Sequence, residues 1–215
     1  MKITKQKDAF LAFEGDNWYA RNKEQLTNLS IDSDFLLQEV LQFCPNNSSN
    51  QLQVLEIGCG NGKRLAALQS LGYLVHGIEP SQAATEAAKA NGVNAIVGTA
   101  DELPYSAEKF DVLIFGFCLY LCDREDLFKI AYEADRVLKS GGYIFILDFY
   151  SKNNVVNEYH HLAGVKSYKM DYSKLFDWHP NYLTVKQQIG SHEGFTQTLD
   201  EHEWISISVI RKIGE

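Results

Sequence analysis

The stretch that decides the fold is Val54-Leu55-Glu56-Ile57-Gly58-Cys59-Gly60-Asn61-Gly62-Lys63-Arg64-Leu65. Its apolar start predicts a short strand that is covered on both faces, as strands of parallel sheets are. Three glycines at alternate positions then permit a tight turn and leave room for a ligand to touch the backbone. We expect a helix from Lys63 to Leu71, with its free N–H groups directed at that ligand. The stretch therefore predicts a nucleotide-type binding turn.

The spacing of the glycines separates this turn from two other nucleotide-binding loops. A dinucleotide site requires Gly-x-Gly-x-x-Gly, and here Lys63 stands where that pattern has its third glycine. A phosphate-binding loop requires Ser or Thr after its Gly-Lys pair, and here Arg64 follows Lys63. The remaining pattern, Glu-x-Gly-x-Gly-x-Gly over residues 56–62, resembles the first motif of the class I S-adenosylmethionine-dependent methyltransferases. A purely structural turn is the alternative reading of this pattern alone.

The resemblance implies that S-adenosylmethionine is the cofactor and that this protein is a methyltransferase acting on a small molecule. It also implies a set of cofactor-binding residues along the chain. They are Trp18, Arg21, Glu56, Gly58, Cys59, Gly60, Gly62, Glu79, Pro80, Ser81, Thr99, Ala100, Asp101, Phe115 and Phe117.

Composition limits the classes of protein that remain. The chain has 215 residues, of which 45% are hydrophobic and 22% charged, as in a globular protein of one domain. No apolar run approaches the ~20 residues of a membrane span. A net charge of −8 disfavours nucleic acid as a partner. Four cysteines without a disulfide or zinc spacing, and no secretion signal, predict a cytoplasmic protein without a metal site. We expect either a monomer or a homodimer.

The N-terminal segment, residues 1–45, carries aromatic, cationic and amide groups close together at Trp18, Tyr19, Arg21 and Asn22. Packing of a helix against the domain would explain the aromatic residues. The segment also looks like the Glu-Gly-Asp-x-Trp-aromatic-x-Arg-Asn stretch of some methyltransferases, whose N-terminal helices close over the cofactor. That resemblance implies that Arg21 meets the carboxylate of the methionine moiety. Lid and simple packing both stay open.

An acidic residue follows the second predicted strand, Tyr73 to Ile78. Glu79 comes about 20 residues after the glycine turn, the usual distance of a ribose-binding carboxylate. A carboxylate at the carboxyl end of a strand can accept hydrogen bonds from both ribose hydroxyls. Pro80 and Ser81 follow, and Ser81 predicts the N-cap of the next helix. We therefore assign Glu79 to the ribose, with a surface acid at a strand end as the alternative.

The third predicted strand, 93–97, runs into a turn of small and acidic residues. The resemblance implies that this turn meets the adenine ring. Many relatives have aspartate where this chain has Thr99, so the contact passes to Asp101 or to backbone N–H groups around Ala100.

The fourth predicted strand, 111–116, departs from the family at its end. Many relatives carry Asn or Ser near position 116 and His near 117 or 121, whereas this chain has Gly116, Phe117 and Leu121. The resemblance implies that backbone carbonyls between Phe115 and Phe117 hold the ammonium of the cofactor. The departure removes an obvious catalytic base and indicates an apolar channel for the methyl group.

Strands alternate with helices from Gln53 to Phe149, including a helix over 124–139 with Asp123 as its expected N-cap. This alternation predicts an α/β fold with a doubly wound parallel sheet. Two further strands are expected at 183–189 and 204–211. The family places them as an antiparallel pair at the edge, which makes a Rossmann-like seven-stranded sheet of order 3-2-1-4-5-7-6 with strand 7 antiparallel.

We expect a single methyltransferase domain over residues 1–215. It would comprise an N-terminal helical lid at 1–45, a cofactor-binding core at 52–150, and a substrate region with the last two strands at 151–215. Within this last part, residues 151–192 contain five lysines against three acids, hence +2, while the rest of the chain carries −10.

That local charge predicts a small anionic acceptor that docks on Lys166, Lys169 or Lys174, with a hydroxyl as the methylated atom. Solvated helix and core aromatics are the alternative explanation of the segment. Candidates for the catalytic base are Asp148, at the end of the fifth strand, and then His179 and His192.

Two other functions stay open from the sequence. One is N-methylation of a cationic amine held by aromatic rings such as Trp18, Tyr19 and Trp178. The other is binding of S-adenosylmethionine, or of a modified sulfonium, without methyl transfer.

Overall fold

A computed structural model describes residues 5–28, 31–46 and 51–214 of the protein, and these residues form a central sheet. Its strands are β1 Gln53–Ile57, β2 Leu74–Glu79, β3 Asn94–Val97, β4 Phe110–Gly116, β5 Leu138–Phe149, β8 Tyr182–Ser191 and β9 Trp204–Lys212, with a separate two-stranded hairpin of β6 Val155–Glu158 and β7 Lys166–Lys169.

The seven-stranded sheet has the order β3-β2-β1-β4-β5-β9-β8. The strands β1 to β5 pair in parallel, and β9 pairs antiparallel with both β5 and β8. The predicted order 3-2-1-4-5-7-6 with an antiparallel seventh strand is thereby confirmed. The β6–β7 hairpin lies outside this sheet and was not predicted.

The helices begin with an unbroken helical stretch from Gln6 to Asn28. It consists of α1 Gln6–Ala9, a π-helical segment Phe10–Glu14 and α2 Gly15–Asn28, and the other α-helices are α3 Phe35–Phe43, α4 Lys63–Ser70, α5 Gln82–Ala90 and α6 Leu127–Val137.

Both faces of the sheet are covered, which explains the unbroken apolar runs of its parallel strands. Val54 and Leu55 are adjacent in β1 and both are fully buried. Val54 belongs to the core on the side of α3, α4 and α5, whereas Leu55 belongs to the core on the side of α6. Since successive strand residues point to opposite faces, every residue of β1 must be compatible with burial.

The structure corrects two details of the predicted elements. Helix α6 begins at Leu127, after a short 3-10 turn, and the Asp123 side chain does not cap it. Instead the Asp123 carboxylate accepts hydrogen bonds at 2.9 and 3.1 Å from the backbone N–H of Gln6, at the start of the N-terminal helical stretch. The sequence does not reveal this cap, because its two partners lie 117 residues apart in the chain.

The N-terminal helical stretch lies against the carboxyl ends of the parallel strands and is fixed at several points. The Gln6 side-chain amide donates to the carbonyls of Leu121 and Lys166, at 2.8 and 3.1 Å. Further along, the Asp16 carboxylate accepts from the Ser81 hydroxyl at 2.6 Å and from the Ala83 N–H at 3.0 Å. The stretch therefore forms a cover that is attached to both sides of the sheet edge.

Within the described residues no helix is both long and apolar enough to cross a membrane. Nor does that part of the chain bring together three metal-ligating side chains in an arrangement that would hold an ion.

Candidate active site

A cavity of about 560 Å³ lies between the N-terminal helical stretch and the carboxyl ends of the strands. This volume is in the usual range of small-molecule sites. The strand order turns at β1 and β4, and the carboxyl ends of parallel strands at such a reversal form the crevice where α/β proteins bind ligands.

The three glycines of the turn after β1 all have positive φ, at 73° for Gly58, 53° for Gly60 and 70° for Gly62. A Cβ at Gly58 would lie 2.7 Å from the Cβ of Cys118, and one at Gly62 would lie 2.9 Å from the Cβ of Ala88. These two glycines are needed for packing. A Cβ at Gly60 would meet only the Leu26 side chain of the cover, at 3.6 Å, so Gly60 leaves its space to the cavity.

Glu79 is held against the turn by backbone donors. Its Oε2 accepts from the Gly60 N–H at 2.9 Å, and its Oε1 accepts from the Ser81 N–H at 3.1 Å. Burial raises the pKa of Glu79 above its ordinary value, while these two N–H groups favour the charged form. Each oxygen keeps a free lone pair, so the carboxylate can accept two more hydrogen bonds on the cavity side.

Glu56 contributes a buried carboxylate with one oxygen unused. Its Oε1 is paired with the Arg64 guanidinium, whose Nε also donates to Asp34 at 2.8 Å. Its Oε2 is buried and has no hydrogen-bond partner among the described residues. Burial raises the pKa of Glu56 to about 7, against the attraction of Arg64. An unpaired carboxylate oxygen in a cavity wall is suited to a cationic group of a ligand.

Asp101 has most of its hydrogen-bonding capacity occupied. Thr99 donates its hydroxyl to Oδ1 at 2.8 Å, and Oδ2 is paired with Lys7 of the cover and, at 3.4 Å, with Lys129. Burial alone would raise the pKa of Asp101, but the hydrogen bonds from Lys7 and Thr99 hold it at about 2. Asp101 therefore stays ionised and ties the cover to the loop after β3.

Like Phe195, which also lines the cavity, Phe117 has a strained backbone conformation. It follows β4 with φ at 51°, in the left-handed region that side chains rarely adopt. Its N–H donates to the Leu147 carbonyl at 2.8 Å, which holds the residue in place. Strained non-glycine residues of this kind cluster at ligand sites and cost of order 1–3 kcal/mol.

Four rings line one side of the cavity, and we call Phe117, Tyr120, Phe149 and His192 the aromatic wall. The centroid of the Phe149 ring lies 5.3 Å from Phe117 and 4.9 Å from Tyr120. The imidazole of His192 is stacked on Phe149 at 5.8 Å and 17°. The wall joins the end of β4 to the ends of β5 and β8.

The structure brings most of the predicted site residues to this cavity. Those that line it are Trp18, Glu56, Gly58, Cys59, Gly60, Glu79, Pro80, Thr99, Ala100, Asp101, Phe117 and His192.

Three predicted cofactor residues do not line the cavity because they pack behind it: Gly62, Ser81 and Phe115. Ser81 is the N-cap of α5, and its hydroxyl accepts from the Ala84 N–H at 3.0 Å. Phe115 is buried in the core on the α6 side of the sheet.

Arg21 is also turned away from the cavity. Its guanidinium pairs with the buried Glu14 carboxylate and donates to the Tyr159 hydroxyl at 2.9 Å. The expected contact of Arg21 with a cofactor carboxylate is therefore not formed in this arrangement.

Two of the three predicted bases lie outside the cavity. Asp148 is fully buried, and its oxygens accept from the backbone N–H groups of Phe149 and Leu119, at 2.8 and 2.9 Å. Burial raises the pKa of Asp148 to about 7, but no face of it lines the cavity. His179 precedes β8 and lies near Tyr182, which pairs with Lys212 at the opposite edge of the sheet. Only His192 is placed where a ligand can reach it.

The residues expected to recognise the acceptor are likewise elsewhere. Lys166 pairs with Glu158, Lys169 donates to the His202 carbonyl at 2.6 Å, and Lys174 is exposed, and none of them lines the cavity. Of the proposed amine cage, Trp18 lines the cavity, while Trp178 lies in a different, surface pocket.

The sequence analysis missed Arg64 and two of the four residues of the aromatic wall, Tyr120 and Phe149. Arg64 was used only to exclude a phosphate loop, although a cation eight residues after Glu56, at a helix start, was the available signal. Nothing in the sequence brings Tyr120, Phe149 and His192 together, since the contact arises from the pairing of β5 with β9 and of β9 with β8.

Comparison with known families adds an independent finding. Residues 55–146 match the family model described as a methyltransferase domain. An uncharacterized methyltransferase of Synechocystis sp. is 31% identical over 104 residues, covering 47% of this chain and 49% of that protein. The chain thus spans about half the length of that relative. An uncharacterized methyltransferase of Bacillus pumilus is 26% identical over 161 residues, and the match covers 71% of this chain and 74% of that protein.

Among solved structures, the 1,6-didemethyltoxoflavin-N1-methyltransferase of Burkholderia thailandensis, with bound 1,6-didemethyltoxoflavin and S-adenosylhomocysteine, is similar in fold. The TM-score is 0.72 at 15% identity, over 96% of this chain and 89% of that one.

Proposed function

We propose that this protein binds S-adenosylmethionine in the cavity and transfers its methyl group to a small molecule, which the match of residues 55–146 to a methyltransferase-domain family model supports. The observation that carries the proposal is the pairing of Gly60 with Glu79. A turn with positive φ exposes backbone beside a carboxylate that has free lone pairs on the cavity side. This combination suits a nucleoside.

The residues present fit the cofactor. Glu79 would accept from the ribose hydroxyls, and the unpaired Oε2 of Glu56 would accept from the ammonium of the methionine moiety. Thr99 and Ala100 border the cavity after β3, where the adenine is expected. Asp101 is held by Lys7, so its contribution is to fix this loop.

The chemistry asks little acid or base assistance from the protein. S-adenosylmethionine supplies a methyl group that is already activated by its sulfonium. The chain must align the acceptor and exclude water, and the N-terminal helical stretch covers the cavity for this purpose. When the acceptor loses a proton, the imidazole of His192 is the group placed to receive it.

The charges of the cavity do not support the expected anionic acceptor. Its lining holds three cations, Lys7, Lys63 and Arg64, against six carboxylates, Asp34, Glu56, Glu79, Asp101, Asp123 and Asp126. Each cation already has a partner within the protein. Methylation of oxygen and of nitrogen are both compatible with this lining.

Binding without methyl transfer is the competing function, and it shares every cofactor contact.

Four free cysteines support the expected reducing, cytoplasmic compartment.

The test of the cofactor site is calorimetry with S-adenosylmethionine and S-adenosylhomocysteine on the whole chain. We expect both to bind, and Glu79→Gln to weaken binding by at least tenfold, since hydrogen bonds to a charged acceptor contribute about 1.5–3 kcal/mol each. Glu86→Gln, at an exposed position of α5, is the matched control and should bind normally. Unchanged affinity in Glu79→Gln would contradict the ribose assignment. Methyl transfer is then read as S-adenosylhomocysteine formed in the presence of candidate acceptors.

A further inference from the structure

We propose that the aromatic wall selects an uncharged, planar aromatic or heteroaromatic acceptor. This inference rests on the proposed function and specifies its second substrate. The rings, the charges and the rim of the cavity support it.

The rings come from separate parts of the chain and converge only in the folded protein. Phe117 and Tyr120 follow β4, Phe149 ends β5 and His192 follows β8. The Phe117 and His192 rings lie 5.3 Å apart, and both also contact Phe149. Planar ligands gain from offset or edge contacts with several rings at such distances. Phe117, whose ring belongs to this group, has a positive φ of 51°, and strained residues of this kind cluster at ligand sites.

Carboxylate, ammonium and guanidinium groups are absent from one part of the described lining. The residues that border the cavity from the ends of β5, β8 and β9 are Leu147, Phe149, His192, Phe195 and Ile205. The charged lining residues belong to β1, to the start of α4, to the end of β2, to the segments after β3 and β4, and to the segments before β1. An acceptor with a full charge would therefore lose hydration without gaining an ion pair.

One cation, Lys169, lies near the aromatic wall. The Lys169 ammonium lies 5.3 Å from the centroid of the Phe149 ring, yet it does not line the cavity. It donates to the His202 carbonyl at 2.6 Å, which holds it outside. Its attraction to the face of Phe149 steadies that ring. An anionic acceptor would have to draw Lys169 from both contacts.

The polar groups of the wall match an acceptor with a hydroxyl or a ring nitrogen. Tyr120 offers a hydroxyl whose pKa burial raises far above its ordinary value, so it remains a neutral donor and acceptor. His192, exposed at the rim, offers an imidazole nitrogen. A phenol hydroxyl and an imidazole nitrogen beside apolar faces can fix the orientation of a ring system through hydrogen bonds.

The experiment compares three probes of matched shape on the whole protein saturated with S-adenosylhomocysteine at pH 7.5. The probes are 2-naphthol, its saturated analogue decahydro-2-naphthol, and the anionic 3-hydroxy-2-naphthoate. We expect 2-naphthol to bind at least tenfold more tightly than each of the other two. Binding is measured by calorimetry, so that the result does not depend on turnover.

Two wall variants test the residues. Phe149→Leu and His192→Leu should each reduce the preference for 2-naphthol over decahydro-2-naphthol to threefold or less, with unchanged affinity for S-adenosylhomocysteine. His192 is exposed, so its variant keeps the test valid if Phe149→Leu fails to fold. Phe128→Leu, at a ring 79% exposed on α6, is the control and should change neither affinity.

Three results would overturn the inference while the proposed cofactor site stands: equal binding of planar and saturated probes, tighter binding of the naphthoate, or no binding of 2-naphthol to the S-adenosylhomocysteine complex. Tighter binding of the naphthoate that Lys169→Gln abolishes would assign an anionic acceptor to Lys169. Failure of S-adenosylhomocysteine itself to bind would instead refute the proposed function.

Discussion

Gly60 is the glycine of the turn whose Cβ position is not filled by close packing, and we propose that this space belongs to the ligand. Gly58 and Gly62 have close neighbours in Cys118 and Ala88, whereas a Cβ at Gly60 would enter the space between the turn and Leu26. The three glycines therefore have different roles despite their identical spacing.

Gly60→Val is expected to abolish binding of S-adenosylhomocysteine while the fold persists, because the side chain would occupy the space of the ligand. Gly92→Val is the matched control, since Gly92 also has positive φ, at 83°, but has nothing within 4 Å of its Cβ position. Calorimetry and thermal unfolding of both variants separate ligand loss from backbone strain. Normal affinity in Gly60→Val would refute the assignment.

The raised pKa of Glu56 leads us to expect that cofactor affinity depends on pH. Its pKa in the free protein is raised to about 7, so it is largely protonated at pH 6. A bound ammonium favours the charged carboxylate, so binding releases a proton below pH 7. Affinity for S-adenosylhomocysteine should fall as pH falls from 7.5 to 5.5, approaching tenfold per unit.

Glu56→Gln removes the titrating group and should bind weakly with little pH dependence over the same range. Calorimetry at several pH values makes the comparison. A variant that keeps the pH dependence of the natural protein would assign that dependence to another group.

At the level of elements, the N-terminal helical stretch is a cover whose stability is set by distant side chains. Asp123 caps its start and Asp16 attaches it to α5. Its π-helical segment places Glu14 in a buried contact with Arg21 and Tyr159. We therefore expect that weakening these contacts loosens the cover without disturbing the sheet.

Asp123→Ala is expected to remove the cap and to cost the cover about 1 kcal/mol. Hydrogen exchange over residues 6–28 should become severalfold faster, with exchange in β1, β4 and β5 unchanged. Asp200→Ala, which removes the cap of a 3-10 turn away from the cavity, is the control. Equal acceleration throughout the sheet would mean that the cover is part of the core.

The whole molecule should be stabilised by its cofactor, because only the folded chain assembles the cavity. S-adenosylhomocysteine at 100 times its Kd should add about 2.7 kcal/mol, which corresponds to a rise in Tm of about 5–11 °C for a chain of this size. Differential scanning fluorimetry measures it, with Gly60→Val as the variant that should show no rise. A rise of similar size in that variant would point to binding elsewhere.

The sequence by itself determined the sheet, and it placed most of the expected cofactor-binding residues along the cavity. Gly58 to Gly62, Glu79 and Thr99 to Asp101 each follow directly on a strand whose direction is fixed by the alternation of strand and helix. Because the carboxyl ends of parallel strands meet at one edge, local patterns were enough to bring these residues together.

Tertiary structure alone decided that Asp148, Arg21 and His179 stay out of the cavity while His192 reaches it. Asp148 ends β5 as predicted, yet backbone donors enclose it, and Arg21 is drawn to Glu14. His179 and His192 flank the same strand, and only the direction of β8 sends His192 to the cavity and His179 to the opposite edge. The choice depends on packing between elements far apart in the chain, and local sequence patterns carry no record of that packing.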